Sequence, residues 1–341
     1  MKRECPEETE GDVVKTSHPR SSGRVCYHHL RVLASVLSWW VANGCTVLLN
    51  KWLFARESFR FPFSLTLVHL AWQSVLALLA VNGLRATSRV RFATRRDYTK
   101  VLLISTVFCL NITLGNYALR EVPVSFFQVI KSATPAFTAA LSWLVLRQRL
   151  TRAALIALVP VVAGVAMASA TELSFRWSGF VAASLSCAMT ALKFVLSAEL
   201  LQGRYPFDPI QLIYYMAPPG ALLLLPWALV GEGRDVLHWW QRAVQQGEWP
   251  RALGLLSFSG IGAFLLNACM FTVLKQTSSV TLTVAGNLKV VLVIYVSLLL
   301  FHNPVTAANM LGSLIAIAGC TWYGLLPQKY VREPAVLATE R

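Results

Sequence analysis

The 341-residue chain is poor in charge. Asp, Glu, Lys and Arg together make up 14% of it, against 55% hydrophobic residues, which excludes an ordinary soluble domain. Acidic residues are the scarcest charges, sixteen against thirty-one Lys and Arg. They fall in the tails, the loops or the ends of apolar segments, with Glu199 the nearest to an exception. No CxxC pair and no clustered His/Cys set occurs, so neither a zinc site nor any other metal is expected. Five of the seven cysteines, Cys45, Cys109, Cys187, Cys269 and Cys320, lie in apolar segments and read as small packing residues. The opening stretch lacks the apolar core of a secretory signal, and Glu4, Glu7, Glu8, Glu10 and Asp12 make it too acidic for an organellar transit peptide. Residues 1–31 therefore read as a disordered cytosolic tail. The net charge of +15 invites nucleic acid. Its basic residues, however, sit in short segments between apolar runs, where they set membrane orientation, so no nucleic-acid partner is expected.

About 20 apolar residues cross a bilayer as a helix. Ten windows qualify: 32–54, 62–82, 100–119, 124–146, 153–171, 177–201, 209–230, 252–273, 279–301 and 305–326. The fold class is thus all-α integral membrane, with ten transmembrane helices. The long connection around 231–251 reads as a short amphipathic stretch on the membrane surface, with Trp239 and Trp240 at headgroup level. With the N-terminus inside, the cytosolic segments hold twenty Lys and Arg and the opposite side seven. Charge bias then makes both termini cytosolic.

Residues 118–165 can be laid on 273–320 without a gap. Arg120 falls on Lys275, Thr151 on Thr306, and Ala163-Gly164 on Ala318-Gly319. Five spans separate the copies, and an odd number reverses topology, giving an inverted five-plus-five repeat. The expected organisation is a first repeat half at 32–171, a second at 172–326 and a C-terminal cytosolic tail at 327–341.

Lys131 and Lys289 lie deep inside apolar windows. A lysine at the centre of a bilayer helix costs roughly 2.5–3.5 kcal/mol on insertion scales. No carboxylate stands near the middle of any window to offset it, so the simplest partner is an anion that comes and goes. The bland alternative is an ammonium that snorkels to the interface. On the repeat alignment the two lysines sit about one turn apart in the same element, so each half supplies one cation to a shared cavity.

The residues around them resemble the drug/metabolite transporter superfamily, and within it the branch of triose-phosphate translocators and nucleotide-sugar transporters. The likeness is carried by the stretch from Val122 to Pro135 with Val129-Ile130-Lys131, by Ala285-Gly286-Asn287-Leu288-Lys289-Val290, and by Phe301-His302-Asn303-Pro304. Leu158-Val159-Pro160, Thr171-Glu172-Leu173-Ser174 and Tyr214-Tyr215-Met216-Ala217-Pro218 add to it. The likeness covers roughly residues 32–326, and those last three motifs point to plant-type Golgi carriers. It implies that Lys131 and Lys289 are substrate lysines. Plastid phosphate translocators are expected to have Arg after the second lysine, where this chain has Val290. The Gly-Ala-Leu-Asn-Lys order expected of GDP-mannose carriers is not met by Gly286-Asn287-Leu288-Lys289. Both departures favour a UDP-sugar, UDP-galactose foremost.

Further substrate-binding candidates are Gln128 and Thr134 near Lys131, Asn287 near Lys289, Lys193 on the sixth span, and Asn111 and Asn267 in the third and eighth. Interhelical hydrogen bonding is the competing reading for the polar ones. Pro135 and Gly286 are expected to loosen their helices and expose backbone. Lys51, beside Trp52, reads as an interfacial anchor. The sequon Asn111-Ile112-Thr113 falls inside a span and is expected to stay unused.

The resemblance implies an antiporter that brings a UDP-sugar from the cytosol into the Golgi lumen and returns UMP. The partners are then a nucleotide sugar, a nucleoside monophosphate and the lipid bilayer, with no cofactor. A homodimer and an ER or other endomembrane location stay open. A phosphorylated-metabolite/phosphate antiporter and a non-transporting membrane scaffold are the alternatives. No nucleophile–base pair or metal set marks an enzyme.

Overall fold

Helix starts follow local chemistry. Pro62 and Pro209 open α2 (Pro62–Leu78) and α7 (Pro209–Gln245), where a missing N–H costs nothing and φ is already set. Thr151 and Thr306 cap α5 (Arg152–Ala170) and α9 (Ala307–Leu325), each hydroxyl accepting from the backbone N–H three residues on. The remaining helices are α1 (Arg20–Ala55), α3 (Arg95–Glu121), α4 (Val124–Ser132), α6 (Trp177–Gln202) and α8 (Trp249–Gln276). α2 runs on into a π-helical turn, Leu79–Gly83.

The computed structural model describes residues 20–55, 57, 59–83, 95–137, 141, 151–202, 207–277, 282, 285–286, 289–290, 293–294, 296, 299–300 and 306–326. Those described between 282 and 300 are all helical. Among the described residues there is no strand. Among the same residues, seven helices are long and apolar enough to cross a bilayer: α1 from Leu30, α2 with its π turn, α3 from Tyr98, α5, α7, α8 and α9. The chain is an all-helical, multi-pass membrane protein.

Most sequence windows agree with these helices to within about five residues. Two differ more. Helix α1 begins at Arg20, inside the stretch read as tail, because nothing between Arg20 and Arg31 breaks a helix except Gly23. The expected surface stretch at 231–251 is not a separate element. Helix α7 carries on to Gln245, about 55 Å in all, and so projects beyond the roughly 30 Å hydrocarbon layer. Contacts with the start of α2 hold this extension. The Glu232 carboxylate accepts from the N–H groups of Phe63 (3.1 Å) and Ser64 (2.7 Å) and from the Ser64 hydroxyl. It thus satisfies the free donors and positive dipole end of α2. Trp239, expected among headgroups, packs edge-on against Phe59 and donates to the Glu57 carbonyl. Gly247, with φ +72°, turns the chain into α8.

The packing is paired. α1 lies on α8 as α6 lies on α3, α2 on α8 as α7 on α3, and α2 on α3 as α7 on α8. Two contacts pair matched helices directly, α2 with α7 and α5 with α9. In α5 and α9, Gly164 faces Gly312 and Ala316, and Gly319 faces Val161, so the two helices run antiparallel. A Cβ on Gly164 would stand 2.6 Å from the Gly312 carbonyl oxygen. Only glycine lets the two backbones meet this closely. Where α1, α2, α3 and α8 converge, a buried polar chain replaces apolar packing. Ser259 donates to Asn50 (2.7 Å), Asn50 to Asn116 (3.1 Å) and Asn116 to Thr66 (2.9 Å), while His69 Nε2 meets the Ser259 hydroxyl at 2.7 Å.

Candidate functional site: a cavity ringed by three lysines

The site begins with a broken helix. Pro135 has no N–H to offer the Lys131 carbonyl, and its ring crowds that oxygen. Helix α4 accordingly ends at Ser132, Ala133 turns with ψ near 0°, and helical backbone resumes at 134–137. The released Lys131 carbonyl accepts from the Thr134 hydroxyl at 2.6 Å. The expected loosening at Pro135 is therefore real, but Thr134 occupies much of the exposed backbone.

Lys131 projects from this break towards α6. Its Nζ donates to the hydroxyls of Ser186 (2.8 Å) and Thr190 (3.0 Å) and lies 5.7 Å from the Phe127 ring centroid. Lys289 donates to the Asn43 side-chain oxygen at 2.7 Å, with the Trp39 ring centroid 4.7 Å from its Nζ. Gly286 leaves room for that indole, since a Cβ there would touch it at 3.4 Å. Lys193 has softer company, with Met270 sulfur at 3.8 Å and the Phe108 and Phe194 ring centroids at 5.4 and 5.6 Å. Lys193 and Lys289 are buried and Lys131 half-buried, so none snorkels to an interface.

All three ammonium groups border one cavity of about 200 Å³. Among the described residues none forms an ion pair with a carboxylate. Hydroxyls, amides and aromatic faces orient a cation but leave its charge uncompensated. Three like charges in one buried space lack an anion.

Of the eight candidate binding residues, seven line this cavity: Lys131, Lys289, Lys193, Gln128, Thr134, Asn111 and Asn267. Asn287 lies outside the described residues, as do Thr281 and Thr283. Gln128 is buried and has no hydrogen-bond partner among the described residues. The other two amides are partly committed to the bundle. Asn111 donates to the Ser186 carbonyl (2.8 Å) and the Thr190 hydroxyl (2.5 Å). Asn267 donates to Gln73 (3.2 Å) and to the Ala263 carbonyl of its own helix (2.9 Å). Both hold helices together while facing the cavity. Asn111 is also 8% exposed and out of reach of glycosylation.

Sequence reading missed Trp39, Asn43, Ser186 and Thr190. An amide near the middle of the first apolar window was the available signal for Asn43, and the i, i+4 pair of hydroxyls for Ser186 and Thr190. It also passed over His69. Lys51, read as an interfacial anchor, is half-buried, and its Nζ donates to the carbonyls of Leu119 (2.9 Å) and Val122 (2.8 Å). Tyr214 and Tyr215 pack edge to face with each other, and neither lines the cavity. Cys109, Cys187 and Cys320 are buried, Cys269 is half-buried and Cys45 faces outward; among the described residues none of the five is in a disulfide. Among the described residues no three His, Cys, Asp or Glu converge to hold a metal.

Comparison with known proteins fits this geometry. The sequence profile described as the Triose-phosphate Transporter family matches residues 30–324. A curated relative from Arabidopsis thaliana named UDP-galactose transporter 1 is 41% identical over 86% of this chain and 86% of its own. An Arabidopsis thaliana GDP-mannose transporter is 40% identical over 86% of this chain and 85% of its own. A probable sugar phosphate/phosphate translocator of the same plant is 36% identical over 84% and 93%.

Proposed function

The chain belongs to the Triose-phosphate Transporter family, a family of transporters and not of enzymes, and on that premise we propose that it is a nucleotide-sugar antiporter. It moves a UDP-sugar, UDP-galactose foremost, from the cytosol into the Golgi lumen and returns UMP. Both termini face the cytosol. The ten helices form an inverted five-plus-five repeat, a reading supported by the paired packing and by the antiparallel, identically capped α5 and α9. The two halves rock about the cavity between them.

One observation carries the proposal: Lys131, Lys193 and Lys289 meet around a single cavity, with no carboxylate paired to them among the described residues. A diphosphate-linked sugar or a monophosphate supplies the missing charge. Lysine suits exchange because its point charge holds phosphate without the fixed fork of arginine. An empty cavity with three cations reorients poorly; with an anion bound the charge is balanced, and the halves move. Asn111, Asn267 and Gln128 offer amide contacts to base or sugar. Val290 is buried in the cavity wall beside Lys289, where an arginine would add a cation for a short sugar phosphate. Its apolar side chain leaves that wall to a longer ligand.

Reconstituted protein tests exchange directly. UDP-galactose uptake is expected into vesicles loaded with UMP and not into empty ones; appreciable net uptake into empty vesicles contradicts antiport. A GDP-sugar is the second reading, because the GDP-mannose relative is as similar as the UDP-galactose one. GMP loading that drives uptake where UMP does not would select it.

A further inference from the structure

A second basic pocket, separate from the central cavity, lies where α1 and α3 end. Lys51, Arg60, Arg120 and Arg176 line a space of about 410 Å³, with Glu121 its one acidic residue. Glu121 is already spoken for: Arg120 Nε reaches one of its oxygens at 2.7 Å and Arg176 the other at 3.0 Å. Arg60 has no side-chain partner among the described residues; its carbonyl takes a long bond from Arg120. Lys51 is held in place by the Leu119 and Val122 carbonyls, which orient its charge without cancelling it. The pocket keeps three more cations than carboxylates.

Two facts make this more than a decorated surface. On the orientation proposed above, this is the non-cytosolic face, which holds seven arginines against twenty basic residues opposite. Topology selects against basic residues here, yet three of the seven converge on one pocket with Lys51. The repeat does not require the cluster either. With the ends of α1 and α6 matched (Ala55 on Gln202) and the starts of α2 and α7 matched (Pro62 on Pro209), Lys51 falls on Ala198 and Arg60 on Phe207. Arg120 falls on Lys275, which pairs with Asp208 at 2.5 Å, and Arg176 falls on His29. Scaffold features recur in both halves. This cluster does not.

We propose that the Lys51, Arg60, Arg120 and Arg176 pocket binds a phosphate group at the mouth of the carrier, ahead of the central lysines. Guanidinium groups present paired donors matched to phosphate oxygens, so they suit capture from water. A buried wall that includes Leu53, Phe54, Phe59, Leu119 and Val122 packs beside the pocket, and none of the pocket residues lines the central cavity. The two sites are therefore separate. The phosphate is that of a soluble monoester, such as the UMP awaiting return, or that of a lipid headgroup. The face it serves rests on the function proposed above; the binding does not.

The test uses the full chain bearing Lys131→Ala, Lys193→Ala and Lys289→Ala, which strips the central cavity of its three cations, and reads thermal stabilisation by inorganic phosphate and by UMP in detergent. Stabilisation is expected to persist, and adding Arg60→Gln with Arg176→Gln is expected to raise the half-effective phosphate concentration about tenfold or more. Arg60→Lys with Arg176→Lys should restore part of it, and the melting temperature without phosphate guards against misfolding. No phosphate effect in the lysine-deficient chain, or one indifferent to the arginine changes, overturns the proposal. Phosphatidylcholine vesicles with and without phosphatidylinositol separate the sources. If the phosphate effect disappears only when phosphatidylinositol is present, the pocket holds a headgroup; if it persists in both, the pocket holds the soluble anion. Because no transport is measured, the pocket can stand where the UDP-sugar assignment fails.

Discussion

Lys289 and Asn43 meet across the cavity, the ammonium donating to the amide oxygen at 2.7 Å. Lys131 makes a comparable contact, to Ser186 and Thr190. Each cation is aimed by a neutral partner, and among the described residues neither is paired with a carboxylate. Such an arrangement serves a charge that visits.

Replacing either lysine by methionine separates transport from stability. Hydrogen bonds to a charged group are worth about 1.5–3 kcal/mol, so exchange is expected to fall about 10- to 100-fold for each change. Removing an uncompensated buried charge should leave the melting temperature equal or higher. Parallel flux and thermal-unfolding measurements check both. Equal losses of flux and of folded protein would mean that the lysines hold the fold instead.

Ser186 and Thr190 position Lys131, Ser186 from behind the cavity wall and Thr190 from the wall itself. Thr190→Val is expected to raise the half-saturating nucleotide concentration about three- to tenfold with the maximal rate little changed. Thr190→Ser, which keeps the hydroxyl, should restore it. A purely structural role would lower the maximal signal in both variants.

Val290→Arg tests what the wall beside Lys289 selects. The variant is expected to gain inhibition by short sugar phosphates and to lose affinity for the nucleotide sugar, read as a competition profile. An unchanged profile would remove Val290 from the specificity argument.

Gly164→Val tests the seam between α5 and α9. Overpacking typically costs about 1–3 kcal/mol, and here the new side chain meets the Gly312 carbonyl and the Ala316 backbone of α9. Lower thermal stability is expected, with ligand affinity in the remaining folded protein near normal.

An imposed proton gradient should not drive or alter exchange. His69 is the buried ionisable group nearest to a proton relay, but its ring bonds to Ser259 and it does not line the cavity. His69→Asn should therefore keep gradient-independent exchange. Uptake driven by a gradient in vesicles without nucleotide would make His69 the first residue to revisit.

How much of this was legible in the sequence depended on the physical signal. Spans were readable because a bilayer demands a long apolar run. The central lysines were readable because a charge there is costly and therefore rare. Thr151 with Thr306 and Gly164 with Gly319 revealed a register that the ends of α5 and α9 follow to the residue. The end of α7 was not readable. Its final turns are polar enough to resemble a loop, and only the long-range contacts of Glu232 and Trp239 keep them attached. Trp39 and Asn43 were hidden for a related reason: an aromatic or an amide in a membrane helix has many uses, and only the approach of Lys289 gives these two theirs. The mouth pocket was scattered over four segments, and its arginines looked like ordinary loop residues until the fold gathered them.

The central claim is that a nucleotide's phosphate, gripped by Lys131 and Lys289, drives exchange. Counterflow of labelled UDP-galactose into liposomes preloaded with UMP, GMP, CMP or inorganic phosphate measures it most directly. Uptake is expected to be strongest with UMP inside and absent in the Lys131→Ala, Lys289→Ala protein. Uptake driven by inorganic phosphate but not by UMP, or unchanged without the two lysines, would contradict it.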